Sequence, residues 1–156
     1  MLETEYEVRE AKLEDTFIMA HDMRDIDKRE IWASNRARPL DALVRSVRNS
    51  ERARTGLVDG EIACMFGICR QNLMGRTGTI WMLGTDLLEQ HATRFLRENK
   101  KEIVDISSEF IIIENYCDAR NKVTIRWLKW LGFTIEEVEP YGVYNLPFHH
   151  FHKEVA

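Results

Sequence analysis

From Tyr6 to Ala11 polar and apolar side chains alternate, the period of a strand with one face in water. Asp15 then stands as a cap ahead of Phe17, Ile18, Ala20 and Met23, and predicts a helix. The charged stretch 24–38 carries no readable period. Pro39 opens a clearer helix, with Leu40, Leu43, Val44 and Val47 on one stripe, ending near Asn49-Ser50. Two apolar runs flank Asp59-Gly60, a dipeptide suited to a tight hairpin turn. Gly67, inside the second run (61–70), predicts a bulge or a close backbone approach. Residues 71–78 read as a loop and TIWMLGTD as the next strand, leaving at Gly84.

A long helix is expected from Leu87, with Leu88, Ala92, Phe95, Leu96, Ile103 and Ile106 on one side. FIIIENYC is nearly unbroken in apolar character and reads as a buried strand. NKVTIRWLKWLGF follows as a helix closed by Gly132. On a helical wheel Val123, Trp127, Leu128, Trp130 and Leu131 cover one broad side, with Lys122, Arg126, Lys129 and Ile125 opposite. Two last strands, Thr134–Val138 and Tyr144–Lys153, are separated by EPYG. The order is strand, two helices, three strands, helix, strand, helix, strands: a mixed α/β (α+β) arrangement.

Composition narrows the partners. The chain has 156 residues, enough for one ordinary domain over its whole length, and is 44% hydrophobic and 31% charged. A net charge of −4 without a basic block argues against a nucleic-acid partner. The longest apolar run, Phe110 to Ile113, is too short to span a membrane, and the acidic start predicts no signal peptide. Three cysteines, an odd number, fit a reducing cytosol, and Cys64 and Cys69 should face opposite sides of their strand.

The DGE hairpin, the strand-then-helix at Gly84 and the spacing of Asn121, Thr124, Trp127, Leu128, Leu131, Gly132 and Phe133 together resemble the GCN5-related N-acetyltransferase (GNAT) fold. That resemblance implies a mostly antiparallel central sheet flanked by about four helices. WMLGTD, the NY strand, the IRWLKWLGF helix and PFHHF also look like a small family of tailed bacteriophages, the acetyltransferase-like internal virion proteins. This second likeness implies a non-catalytic protein of the host cytoplasm or virion, acting through phage virion or host proteins.

The GNAT resemblance also implies a site, with acetyl-CoA as the cofactor. The backbone of Met82, Leu83 and Gly84 would hold the pantetheine arm, and the helix carrying Asn121 and Trp127 would lean over it. The diphosphate needs free backbone N–H groups. After Gly84 this chain has no glycine loop; instead Thr85 or Asp86 reads as a helix cap, and Asp86 with Glu89 as a capping box. The amine's proton needs a base, for which Glu114, Asp118 and Asp86 are the candidates. The family's thiolate-protonating tyrosine falls at Leu128, so Tyr116 or Tyr141 would have to substitute. Trp81 and Trp127 are large enough to fill the cleft between the fourth and fifth strands; Trp32, Trp81, Trp127 and Trp130 are expected mostly in the core, and an exposed one would point to a protein interface. His150 and His152 should share a strand face, as half of a metal site that His91 or a carboxylate could complete; hydrogen-bonded or solvent-facing imidazoles are the simpler expectation, and no metal is assigned. Three readings of function remain: the non-catalytic binding protein, an active N-acetyltransferase with an atypical diphosphate loop, and a small metal-dependent protein using the C-terminal histidines.

Overall fold

The computed structural model describes residues 3–155. One seven-stranded sheet runs through them, in the order β1-β2-β3-β4-β5-β7-β6. The strands are β1 (Tyr6–Glu10), β2 (Ser50–Val58), β3 (Glu61–Arg70), β4 (Thr77–Gly84), β5 (Ile112–Asp118), β6 (Thr134–Tyr141) and β7 (Leu146–Glu154). Every neighbouring pair is antiparallel except β4 and β5. The helices are α1 (Asp15–Asp22), α2 (Asp25–Asn35), α3 (Pro39–Asn49), α4 (Asp86–Gln90), α5 (Ala92–Ile106) and α6 (Lys122–Trp130). None is long and apolar enough to cross a membrane.

Six helices replace the expected four, for two local reasons. α2 fills most of the stretch that showed no period: it buries Asp27, Ile31 and Ala33, so the first member of its inward stripe is a carboxylate. The expected long helix is two, broken at His91 (φ −120°), whose Nδ1 lies 2.9 Å from the Tyr6 hydroxyl. β4 begins at Thr77, inside the expected loop, and β6 runs on to Tyr141. Gly67 makes a close approach and no bulge: a Cβ there would meet the Arg52 carbonyl at 2.8 Å.

The sheet separates two cores. On one face Phe66, Ile68, Phe95, Ile103 and Leu128 pack under α4, α5 and α6; on the other Met19, Leu43, Met65, Trp81 and Leu83 pack under α1 to α3. Burial of this kind is the main favourable term in folding. α6 is rotated from its expected phase. Ile125 is buried, while Trp130 is half exposed with the Lys100 ammonium 5.1 Å from its ring centre. Trp32 is likewise half exposed, so only Trp81 and Trp127 are core. The β6–β7 turn rests on the end of α2: Val143 N–H donates to the Ser34 carbonyl at 3.3 Å, and a Cβ on Gly142 (φ 78°) would meet the Ala33 oxygen at 2.6 Å.

The first helix is tied to the sheet edge by a buried carboxylate. Asp15 accepts from both Arg9 terminal nitrogens (2.8 and 3.0 Å), from Lys12 N–H (2.9 Å) and from the Thr55 hydroxyl (2.9 Å). Burial pushes its pKa up, but the Arg9 bond and the other two donors outweigh this and hold it below the usual range. A depressed carboxyl contributes stability above its unfolded pKa and loses it as pH falls through the folded one. Asp15→Ala should therefore cost about 2–3 kcal/mol at neutral pH, because it strands a hydroxyl and a partly buried arginine. Denaturant titration would check this, and the deficit should shrink below about pH 4, where the wild-type carboxylate also loses its charge.

Candidate functional site

β4 and β5 touch over a short length. Their parallel register covers Thr77↔Ile112, Gly78↔Ile113 and Thr79↔Glu114, whereas β4 stays paired with β3 as far as Gly84 and β5 with β7 as far as Asp118. Beyond Thr79 and Glu114 the two strands diverge. Asn115 braces the opening by donating its amide to the Ile80 carbonyl at 2.7 Å.

Strand alternation says which backbone groups face this gap. Thr85 N–H points to β3, where it meets the Ala63 carbonyl at 2.9 Å. Gly84 points the other way: its N–H donates to Asp27 Oδ2 at 2.8 Å and its carbonyl accepts from Arg24 N–H at 2.9 Å. Met82 has the same orientation as Gly84, and its N–H and carbonyl open into the gap without a β5 partner. Leu83 has the opposite orientation and bonds toward β3, with its side chain in the core under α1 to α3. A largely apolar cavity of about 190 Å³ lies here, bordered by Glu30, Ile80, Met82, Asn115, Tyr116 and Leu128.

Toward the end of β4 the gap is closed by the chain itself. Met23 forms a bridge with Thr85, extending the sheet locally by one short rung. Arg24, 4% exposed, reaches both Asp27 oxygens at 2.9 Å, Glu89 at 3.0 Å and the Thr124 hydroxyl at 3.5 Å. Its guanidinium lies 5.1 Å from the Trp127 ring centre, within cation–π range. Burial opposes the arginine's charge, but Asp27 and Glu89 outweigh it and raise its pKa. Trp127 is thus buried beneath a cation of the same chain, and Glu89 serves Arg24 instead of a capping box. The α4 cap is Thr85, whose Oγ1 accepts from Leu87 N–H at 3.3 Å.

The strongest titratable candidate lies in the stretch without a period. Glu30, on α2, accepts Asp118 N–H at 2.6 Å and borders the cavity. The residue is half-buried, with Asp27, Cys117 and Asp118 around its carboxyl. Burial first, then the Asp27 charge, raise its pKa to about 7. Its signal in the sequence is only its spacing of three from Asp27 on a helix that shows no apolar stripe.

The other candidates are divided. Tyr116 borders the cavity, stacked on Tyr141 with ring centres 3.9 Å apart; burial, then Glu139, push its pKa up. Leu128 borders it as well and offers no proton. Glu114 lies 3.7 Å from His150 Nε2 and is not among the cavity's residues. Asp86 begins α4 beside Ile18 and Leu87, in a separate surface depression, and does not join Glu114 and Tyr116. Asp118 is bound to Arg120 at 2.6 Å. Asn121 is fully buried and caps α6, accepting Thr124 N–H at 3.2 Å. His150 and His152 stack at 5.1 Å, and His152 lies 2.7 Å from Glu136; His91 is engaged with β1, away from them. Among the described residues no group of three or more metal-ligating side chains converges.

No protein-family model matches the chain, and comparison with curated proteins gives no match. Solved structures do match. YncA from Salmonella typhimurium, with its cofactor acetyl-CoA, superposes with TM-score 0.73 at 14% identity, over 97% of this chain and 95% of its own. Spermidine N-acetyltransferase from Vibrio cholerae, in complex with CoA and spermine, gives 0.68 at 13% identity, over 96% and 95%. An acetyltransferase of the GNAT family from Streptococcus pneumoniae gives 0.65 at 17% identity, over 97% and 100%. The chain has the GNAT fold. All three neighbours are bacterial, and the likeness carries the fold and not a phage origin.

Glu30 gives this site a pH signature opposite to that of Asp15. A carboxyl raised in the folded state favours folding below its unfolded pKa, and that contribution is lost as pH rises to about 7. Glu30→Gln should therefore flatten the decline in melting temperature between about pH 5 and 8. Parallel melts of the two proteins would check it; parallel curves would place the titration elsewhere.

Proposed function

We propose that the chain is an acyl-CoA-dependent N-acyltransferase, with acetyl-CoA as donor and an amine as acceptor. The observation that carries this reading is the pair of free Met82 backbone groups, which face a cavity that reaches Glu30. Acetyl-CoA and CoA in the two neighbours support the same donor. The fit is partial. Met82 can hold an amide or the thioester oxygen, whereas Gly84 and the path past it are occupied by Arg24 and Asp27, so the cofactor arm requires that contact to part.

When bound, the donor supplies the acyl group as a thioester. Met82 N–H, open into the cavity, would be the backbone donor for the thioester's carbonyl oxygen, where charge develops in the reaction. Glu30, poised near neutrality, accepts the proton that the amine must lose as its nitrogen bonds to the carbonyl carbon. Tyr116, which lines the cavity, would be the proton source for the leaving thiolate in place of Leu128.

A second reading is a binding protein that keeps the fold without the reaction, recognising virion or host proteins. It is favoured by the occupied Gly84 and by Leu128 at the proton-donor position. Titration calorimetry with acetyl-CoA separates the two. Binding is expected, with a stabilisation of about 2.7 kcal/mol at about 100 times the dissociation constant. Amine-dependent thiol release should then fall about 10²-fold in Glu30→Gln. No heat and no melting shift at millimolar ligand would overturn the enzyme in favour of the binding protein.

A further inference from the structure

Arg24 is a cation with two unequal partners. Asp27 is buried and also holds Gly84 N–H, so it belongs to the fold. Glu89 is the outer partner, 43% exposed, and meets only the Nη1 nitrogen of Arg24. Removing Glu89 from that nitrogen breaks one half-solvated ion pair and leaves Arg24–Asp27 intact. An anion arriving from the solvent side finds a guanidinium already desolvated by Trp127 and already oriented. This chain lacks the glycines with which backbone amides could cradle a diphosphate, so a guanidinium is its available donor of charge-assisted hydrogen bonds at the end of β4.

We infer that the Arg24–Glu89 ion pair is an autoinhibitory latch at the end of β4, opened when the phosphate of a diphosphate-bearing ligand takes the place of the Glu89 carboxylate on Arg24. The inference rests on the acyltransferase reading and adds to it which side chain competes with the ligand's phosphate for Arg24; the Gly84 contact is a separate barrier. Glu89 competes with the ligand for one nitrogen, so affinity is set by the difference between two anions on Arg24. No covalent step is involved.

The test is calorimetry with CoA and, separately, with inorganic pyrophosphate, on wild type, Glu89→Gln and Glu89→Asp. Glu89→Gln removes the competing charge and should tighten CoA binding about two- to fivefold, the range of a partly exposed ion pair. Glu89→Asp keeps the charge but is one methylene too short to hold Nη1, and should tighten it similarly. Tightening in Gln but not in Asp would reduce the effect to net charge and overturn the latch. CoA binding that both variants leave unchanged or weakened would overturn the latch while the acyltransferase reading stands. Pyrophosphate binding that the variants tighten, without any CoA binding, would support the latch and overturn the acyl-CoA reading. No binding of either probe to any of the three proteins overturns both. Glu89 is on the surface side of the pair, so these variants leave the buried core untouched.

Discussion

A parallel strand pair that lasts for three registers leaves a debt of unsatisfied backbone, and the Arg24–Asp27 pair settles it. Once β5 turns away after Glu114, the Gly84 N–H and carbonyl have no strand to meet. Asp27 takes the first and the Arg24 backbone takes the second. A carboxylate as buried as Asp27 needs a cation, and the Arg24 side chain provides it from three residues away. Removing one member of such a pair strands the other, at a cost of about 3–5 kcal/mol. The α1–α2 junction, the end of β4 and the Trp127 face of α6 therefore share one electrostatic knot. The same knot stands where a cofactor arm would run, so local stability and ligand access depend on the same atoms.

Much of the fold was legible because most elements bury apolar side chains at a clean period. α3 and β2 to β5 are of this kind, and the DG turn formed with Asp59 and Gly60 both at positive φ. The losses came where burial is polar. α2 turns Asp27 inward beside Ile31, so a hydrophobic count along residues 25–35 sees only half of its stripe. The break at His91 depends on a contact with Tyr6 from the far end of the chain, which no local window contains. Trp130 fits the apolar side of the wheel by composition, yet lies over Lys100 in partial contact with water.

The candidate site divides along the same line. Met82 entered through the GNAT resemblance together with Leu83 and Gly84, and the strand pairing then separates its orientation from that of Leu83. Leu128 could be read as an absence of chemistry only through the GNAT resemblance, which implies a tyrosine at that position. Glu30 and Arg24 could not be singled out, since a sequence with 26 acidic and 22 basic side chains gives no reason to prefer them. What distinguishes both is enclosure by elements distant in the chain: Asp118 for Glu30, Glu89 and Trp127 for Arg24. Asp86, the alternative base to Glu114, lies apart from Tyr116 and the cavity for a geometric reason. It leaves β4 on the side of α1, beside Ile18, and not into the gap.

The seat of the β6–β7 turn on α2 bears on timing. α2 is held at its C-terminal end by Val143 and the close-fitting Gly142, and at its N-terminal end by Arg24 and Asp27. A helix clamped at both ends does not swing as a lid. Between α1 and α2 only Met23 and Arg24 are extended, with ψ near 141° and 142°. Motion that would clear Gly84 is therefore confined to a two-residue crank, and it would break the Met23–Thr85 rung. Such local openings take microseconds or longer, so under the proposed function the rate of ligand capture would follow the protein's own fluctuation and not diffusion.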